Sequence, residues 1–120
     1  MKLMSLEFPL SHEILTSVRL VTGGICALAG FDLDEAEDCK VSVTESLLLL
    51  LHHGGQTARV CFERKEEALK ISFESENNDT GSEKTAEEEI SVALLSALVS
   101  ELDICTHGKN MRISFEIGKL

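Results

Sequence analysis

Five consecutive leucines, Leu47 to Leu51, sit inside a stretch with the other marks of a helix, and they restrict the fold more than any other feature. At about 100° per residue, five positions sweep more than a full turn, so leucine faces every direction around the axis. A helix that is apolar on all sides needs neighbours on several of them. One side must pack on a sheet and another on further helices. A remaining side, at Leu48 or Leu49, is left to face whatever the domain binds. Asp34 with Glu37 three residues on supplies an N-terminal capping signature, and Gly54-Gly55 stops the helix.

The sheet that this helix requires is written in alternation. Residues 2 to 8 set Met4, Leu6 and Phe8 against Ser5 and Glu7, and Pro9, the only proline, closes the strand. Ala58, Val60 and Phe62 alternate with Arg59, Cys61 and Glu63, and Leu69, Ile71 and Phe73 with Lys70, Ser72 and Glu74, so the two segments read as a hairpin. A last hairpin turns at Gly108-Lys109-Asn110, between Ile104 to Thr106 and Met111, Ile113, Phe115 and Ile117. Two more segments have helical spacing. Ile14, Val18, Val21, Ile25 and Leu28 form one stripe, started by Ser11 and ended near Gly30; Ile90, Leu94, Leu95, Leu98, Val99 and Leu102 form another, with Glu87 to Glu89 at its positive end. From Glu76 to Glu89 only Ala86 is apolar, which predicts a solvated loop at its start. The order strand, helix, helix, hairpin, loop, helix, hairpin predicts an α+β, two-layer sandwich: a mostly antiparallel sheet covered on one face by three helices. With no repeat and no linker, residues 1–120 read as one domain.

Charge and composition exclude several functions. Twenty-one acids against 11 Lys and Arg give a formal charge of -10, which repels phosphate backbones and anionic bilayers, so neither nucleic acid nor membrane is an expected partner. No apolar run approaches the roughly twenty residues that span a bilayer. The chain has no Trp or Tyr to stack on bases. Cys26, Cys39, Cys61 and Cys105 form no CxxC pair, and the N-terminus lacks a secretory pattern, which reads as reduced thiols in a cytoplasmic protein; Cys26 and Cys61, in apolar surroundings, read as core packing. His52 and His53 are adjacent and point about 100° apart, so they do not form a metal-binding pair and suit a helix C-terminus. His12 and His107 have no companions at ligand spacing, and no metal site is expected.

Two segments together carry a resemblance. "SHEILTSVRLVTGGICALAGFDLDEAEDCKVSVTESLLLLLHHGG" resembles the opening of the anti-sigma-factor serine kinases, a branch of the histidine-kinase-like ATPase (GHKL) superfamily, and "ISVALLSALVSELDICTHGKNMRISFEIGKL" is similar to that family's closing helix and hairpin. The resemblance implies the histidine-kinase-like ATPase fold. It also implies a nucleotide site built from a helical glutamate and asparagine at i, i+4, a DxGxG loop and a glycine-rich lid. Glu45 matches the glutamate and His53-Gly54 the family's His-Gly, but Leu49 stands at the asparagine position and offers no oxygen to Mg²⁺. Asp79-Thr80-Gly81 supplies only a shifted fragment of DxGxG, and the segment from Phe73 to Ile90 is too short for the lid. Arg19 matches an arginine of the first helix, a region that in the relatives contributes to docking; its plain alternative is a surface charge paired with a nearby acid. What the resemblance implies is therefore a regulatory protein-binding domain. Glu45 would be a vestigial catalytic residue, Leu49, His53, Asp79 and Gly81 the other ancestral site positions, and the ATP and Mg²⁺ cofactors lost. The implied partners are a sigma factor, an anti-sigma antagonist, or a second copy through a leucine-rich surface. The old cavity would be filled by aliphatic side chains or would form part of an interface. The alternative is an active serine/threonine kinase or ATPase with an atypical site using Glu45 and Asp79.

Overall fold

The alternating segments pair into one antiparallel sheet. A computed structural model describes residues 1–76 and 85–118. It contains β1 (Lys2–Pro9), α1 (Ile14–Leu28), α2 (Leu33–His52), β2 (Thr57–Lys65), β3 (Ala68–Ser75), α3 (Ala86–Leu98), β4 (Ser100–His107) and β5 (Asn110–Gly118). The strand order is β1-β2-β3-β5-β4, antiparallel throughout. Ala58, Val60, Phe62, Leu69, Ile71, Phe73, Met111, Ile113, Phe115 and Ile117 are buried beneath the helices. Phe73 and Phe115 meet with ring centroids 5.7 Å apart. The expected α+β sandwich, with helices on one face, is the architecture found.

The leucine helix is its centre. α2 packs between α1 and α3 and reaches β3 and β5, and Leu47, Leu49 and Leu50 are buried while Leu48 and Leu51 are half-buried. Burying a leucine is worth about 2 kcal/mol, so this helix anchors both layers. Its start differs from the expectation. The capping box is Asp32 with Glu35, not Asp34 with Glu37: Asp32 Oδ1 accepts from the Glu35 amide at 2.8 Å, and Glu35 Oε1 accepts from the Asp32 amide at 3.0 Å. The same spacing occurs twice, and the hydrophobic neighbour decides between the two. A cap at Asp32 puts Phe31 before the cap and Ala36 after the first turn, both packed on the core; a cap at Asp34 would put the exposed Leu33 in Phe31's place.

Other details also depart from the pattern. Leu28, expected on the inner stripe of α1, is exposed; Val18 and Ile25 are buried and Ile14 and Val21 half-buried against the core as expected, with Thr22 and Cys26 buried beside them. Met4 lies opposite Phe62 yet stays partly exposed on the edge strand, where the register shifts between Lys2 and Met4. In α3 the inward residues are Glu88, Ser91 and Leu95, while Ile90 is 59% exposed; Leu98 ends the helix, and Leu102 belongs to β4. Cys26 is buried as expected, with Cys39 beside it, but Cys61 lies half-buried on the open face of the sheet. Asp79, Gly81 and most of the loop expected from Glu76 lie outside the described residues.

Candidate functional site

Residues four apart on a helix share one face, so Glu45 and Leu49 come together on the side of α2 that meets α3. Between the two helices opens a cleft of about 580 Å³. Leu48, Leu49 and Leu51 form its apolar side, and Glu45, Glu87 and Glu88 its acidic side; no Lys or Arg lines it among the described residues. The leucines floor this cleft. Leu49 is 3% exposed at the position where the resemblance expects an amide.

The polar groups of α3 are directed at α2. Ser91 donates a hydrogen bond from Oγ to Glu45 Oε2 at 2.6 Å, so Glu45, half-buried, is neither a free base nor a fully solvated charge. His53, the residue that caps α2 at its C-terminal end, pairs through Nε2 with Glu88 Oε1. The Glu88 side chain is 3% exposed, and its second oxygen has no hydrogen-bond partner among the described residues. Glu88 lies in the first turn of α3, where the positive end of the helix favours a carboxylate. Thr85 caps that helix by accepting from the Glu88 amide at 3.2 Å, and its hydroxyl also lies 3.1 Å from His52 Nε2. The two adjacent histidines thus tie the end of α2 to the start of α3. Their rings stand edge to face, 6.3 Å apart between centroids, and do not converge on one point. Among the described residues no cluster of three His, Cys, Asp or Glu is placed to hold a metal ion.

Arg19 lies elsewhere, on α1, half-buried, with Nη1 donating to Thr44 Oγ1 at 3.4 Å. The structure brings Glu45 and Leu49 together and sets His53 at the end of the same helix. It does not bring Arg19 to the cleft, and Asp79 and Gly81 fall outside the described residues. Sequence reasoning missed Ser91 and Glu88. Thr85-x-x-Glu88 has the spacing of a capping box and was a legible signal; nothing local marked Ser91.

Among the described residues, no helix is long and apolar enough to cross a membrane. No family model and no curated protein sequence matches the chain. Solved structures do resemble it. The crystal structure of the RsbU and RsbW domains of Rv1364c from Mycobacterium tuberculosis superposes with a TM-score of 0.74 over 97% of this chain at 16% identity. This chain spans 32% of that one. The SiaB–SiaC complex from Pseudomonas aeruginosa gives a TM-score of 0.60 at 12% identity, covering 97% of this chain and 89% of the other. At such identities the likeness establishes the fold alone: an antiparallel sheet under three helices.

Proposed function

We propose that this chain is a regulatory domain that binds a protein partner through the α2–α3 end of a nucleotide-binding scaffold, and that it has lost ATP and Mg²⁺. One observation carries the reading: the cleft beside Glu45 has Leu49 at the position where the resemblance expects a cation ligand, and Glu45, Glu87 and Glu88 among its lining residues. Mg²⁺ requires near-octahedral oxygen ligands and sheds its waters reluctantly, and Leu49 offers none. Three carboxylates, set against two histidines, His12 and His52, and no Lys or Arg among the described lining residues, disfavour a triphosphate. The residues present do not fit magnesium-nucleotide. They fit a segment that brings apolar and basic side chains, received by the leucine floor, the glutamates and the exposed Ile90 that lines the cleft.

The resemblance suggests the class of partner, a sigma factor or an anti-sigma antagonist. In line with it, SiaB, a fold neighbour, was crystallised in complex with SiaC, and the other neighbour contains an RsbW domain in one chain with an RsbU domain. The open cleft with Glu45 on its wall is the observation on the side of an active kinase. Isothermal titration with Mg-ATP and Mg-ADP decides between the two. No heat of binding at millimolar nucleotide is expected; micromolar binding, with label transfer to an antagonist serine abolished by Glu45→Gln, would establish the kinase.

A further inference from the structure

The cleft between α2 and α3 contains a carboxylate that its own chain leaves incomplete. The Glu88 side chain is 3% exposed, and His53 meets one of its oxygens; the other, Oε2, is closed to water and has no hydrogen-bond partner among the described residues. A buried carboxylate oxygen without a donor is costly, because it has given up its hydration with nothing in return. The positive end of α3 favours the charge without supplying that oxygen a donor. Glu45, across on α2, is also short of a cation: among the described residues its one hydrogen-bond partner is the Ser91 hydroxyl, 2.6 Å from Oε2. Ser91 stands three residues after Glu88 on the same face of α3, so the bond from Ser91 holds the Glu45 carboxylate next to the face that carries Glu88. Both glutamates line the cleft.

We infer, resting on the partner docking proposed above, that the cleft seats one arginine side chain of the partner's segment, with its guanidinium between Glu88 and Glu45 and its methylenes on Leu48 and Leu51. Glu88 Oε2 then gains the donor it lacks, and Glu45 gains a cation beside the neutral hydroxyl it already holds.

Three features select this group. Guanidinium is planar and carries its N–H donors on separate edges, so it can give to two carboxylates on different helices at once; the ammonium of lysine is a compact point charge that sheds water more reluctantly. The arginine stem is apolar, and Leu48, Leu51 and the exposed Ile90 line the cleft to receive it and its apolar neighbours in the segment. The charges agree as well. No Lys or Arg lines the cleft among the described residues, His52 is engaged with the Thr85 hydroxyl, His12 is exposed, and a chain with a formal charge of -10 draws a basic segment toward it.

A set of capped tripeptides isolates the charge. Acetyl-Leu-Arg-Leu-amide and its citrulline counterpart have nearly the same shape, and only the first carries a cation. In ¹H-¹⁵N correlation spectra of the full chain, the arginine peptide is expected to shift the amides of Glu45, Leu48 and Ser91 with a Kd on the order of 1 mM. The citrulline peptide should bind at least about 10-fold more weakly, and the lysine peptide more weakly than the arginine one. Glu88→Gln keeps an oxygen for His53 and removes the charge; it should weaken the arginine peptide at least about 10-fold and leave the citrulline peptide unchanged, a difference that a purely structural role of Glu88 would not produce. If circular dichroism shows that Glu88→Gln is unfolded, Glu45→Gln, which keeps an acceptor for Ser91, reads the same selectivity. No shifts at about 10 mM arginine peptide, shifts confined to residues outside the cleft, citrulline or lysine binding as tightly as arginine, or an unchanged affinity in the folded variant would each overturn the arginine seat and leave partner docking standing. Micromolar binding of Mg-ATP in the same spectra would overturn partner docking itself, and the seat with it.

Discussion

Replacing His53 with leucine tests how α2 and α3 are held together. The Glu88 carboxylate is 3% exposed, and its one assigned partner is the His53 ring. Removing the partner of a buried carboxylate costs about 3 to 5 kcal/mol, because its charge stays desolvated. The first turn of α3 offsets up to ~1 kcal/mol of this through the helix dipole, and Glu88 borders an open cleft, so about 2 to 4 kcal/mol is expected for His53→Leu. At roughly 2.1 cal/mol/K per residue, unfolding 120 residues carries about 0.25 kcal/mol/K of entropy, so the midpoint should fall by about 8 to 16 °C. The paired variant His53→Leu with Glu88→Leu removes the stranded charge along with its partner and should recover all but about 1 kcal/mol, giving a strong coupling in the double-mutant cycle. With no Trp or Tyr to report unfolding by fluorescence, the assay is thermal and urea denaturation, each followed by circular dichroism at 222 nm. A loss under 1 kcal/mol for His53→Leu, or a double variant as unstable as the single one, would refute a buried charge pair as the link between the helices.

Two further outcomes follow from the helical layer. Cys39 is buried against Cys26, and the hydrogen bond between them, then burial, holds its thiol far above the ordinary range, so native protein should show no reaction of Cys39 with iodoacetamide at pH 8 while the half-buried Cys61 and Cys105 are labelled. A folded-state pKa raised above the unfolded one gives stability that is complete below the unfolded thiol pKa, about 8.5, and is lost as pH rises beyond it; the urea midpoint should therefore fall between about pH 8.5 and 10.5 in wild type, and less in Cys39→Ala. Asp32→Ala removes the cap of α2 and should cost about 1 kcal/mol, whereas Asp34→Ala should cost less than half of that, measured by the same denaturation.

Alternation made the sheet legible because its faces have such different environments. Ala58, Val60 and Phe62 are buried while Arg59 and Glu63 are not, and a slip of one residue would invert both. The leucine run announced a helix with neighbours on several sides for the same reason. The stripe of α3 was not legible, because two candidate stripes share one spacing. Ile90 with Leu94 and Ser91 with Leu95 are both i, i+4 pairs, and hydrophobicity alone favours the first. The fold chose the second.

That choice also explains the state of Glu45. An inward Ile90–Leu94 stripe would close α3 on α2 through hydrocarbon and leave Glu45 to water. With Ser91 and Glu88 turned inward instead, α3 is held by polar contacts to Glu45 and His53, and these need both partners in place to repay their desolvation. Glu45 is a hydrogen-bond acceptor that joins α2 to α3, a state that neither of the two sequence readings, residual base or solvated charge, contained. The same rotation of α3 turns Ile90 and Leu94 outward, and Ile90 lines the cleft, so apolar surface lies beside its carboxylates. The proposed docking of a polypeptide uses those two features side by side, and a single helix rotation supplies both.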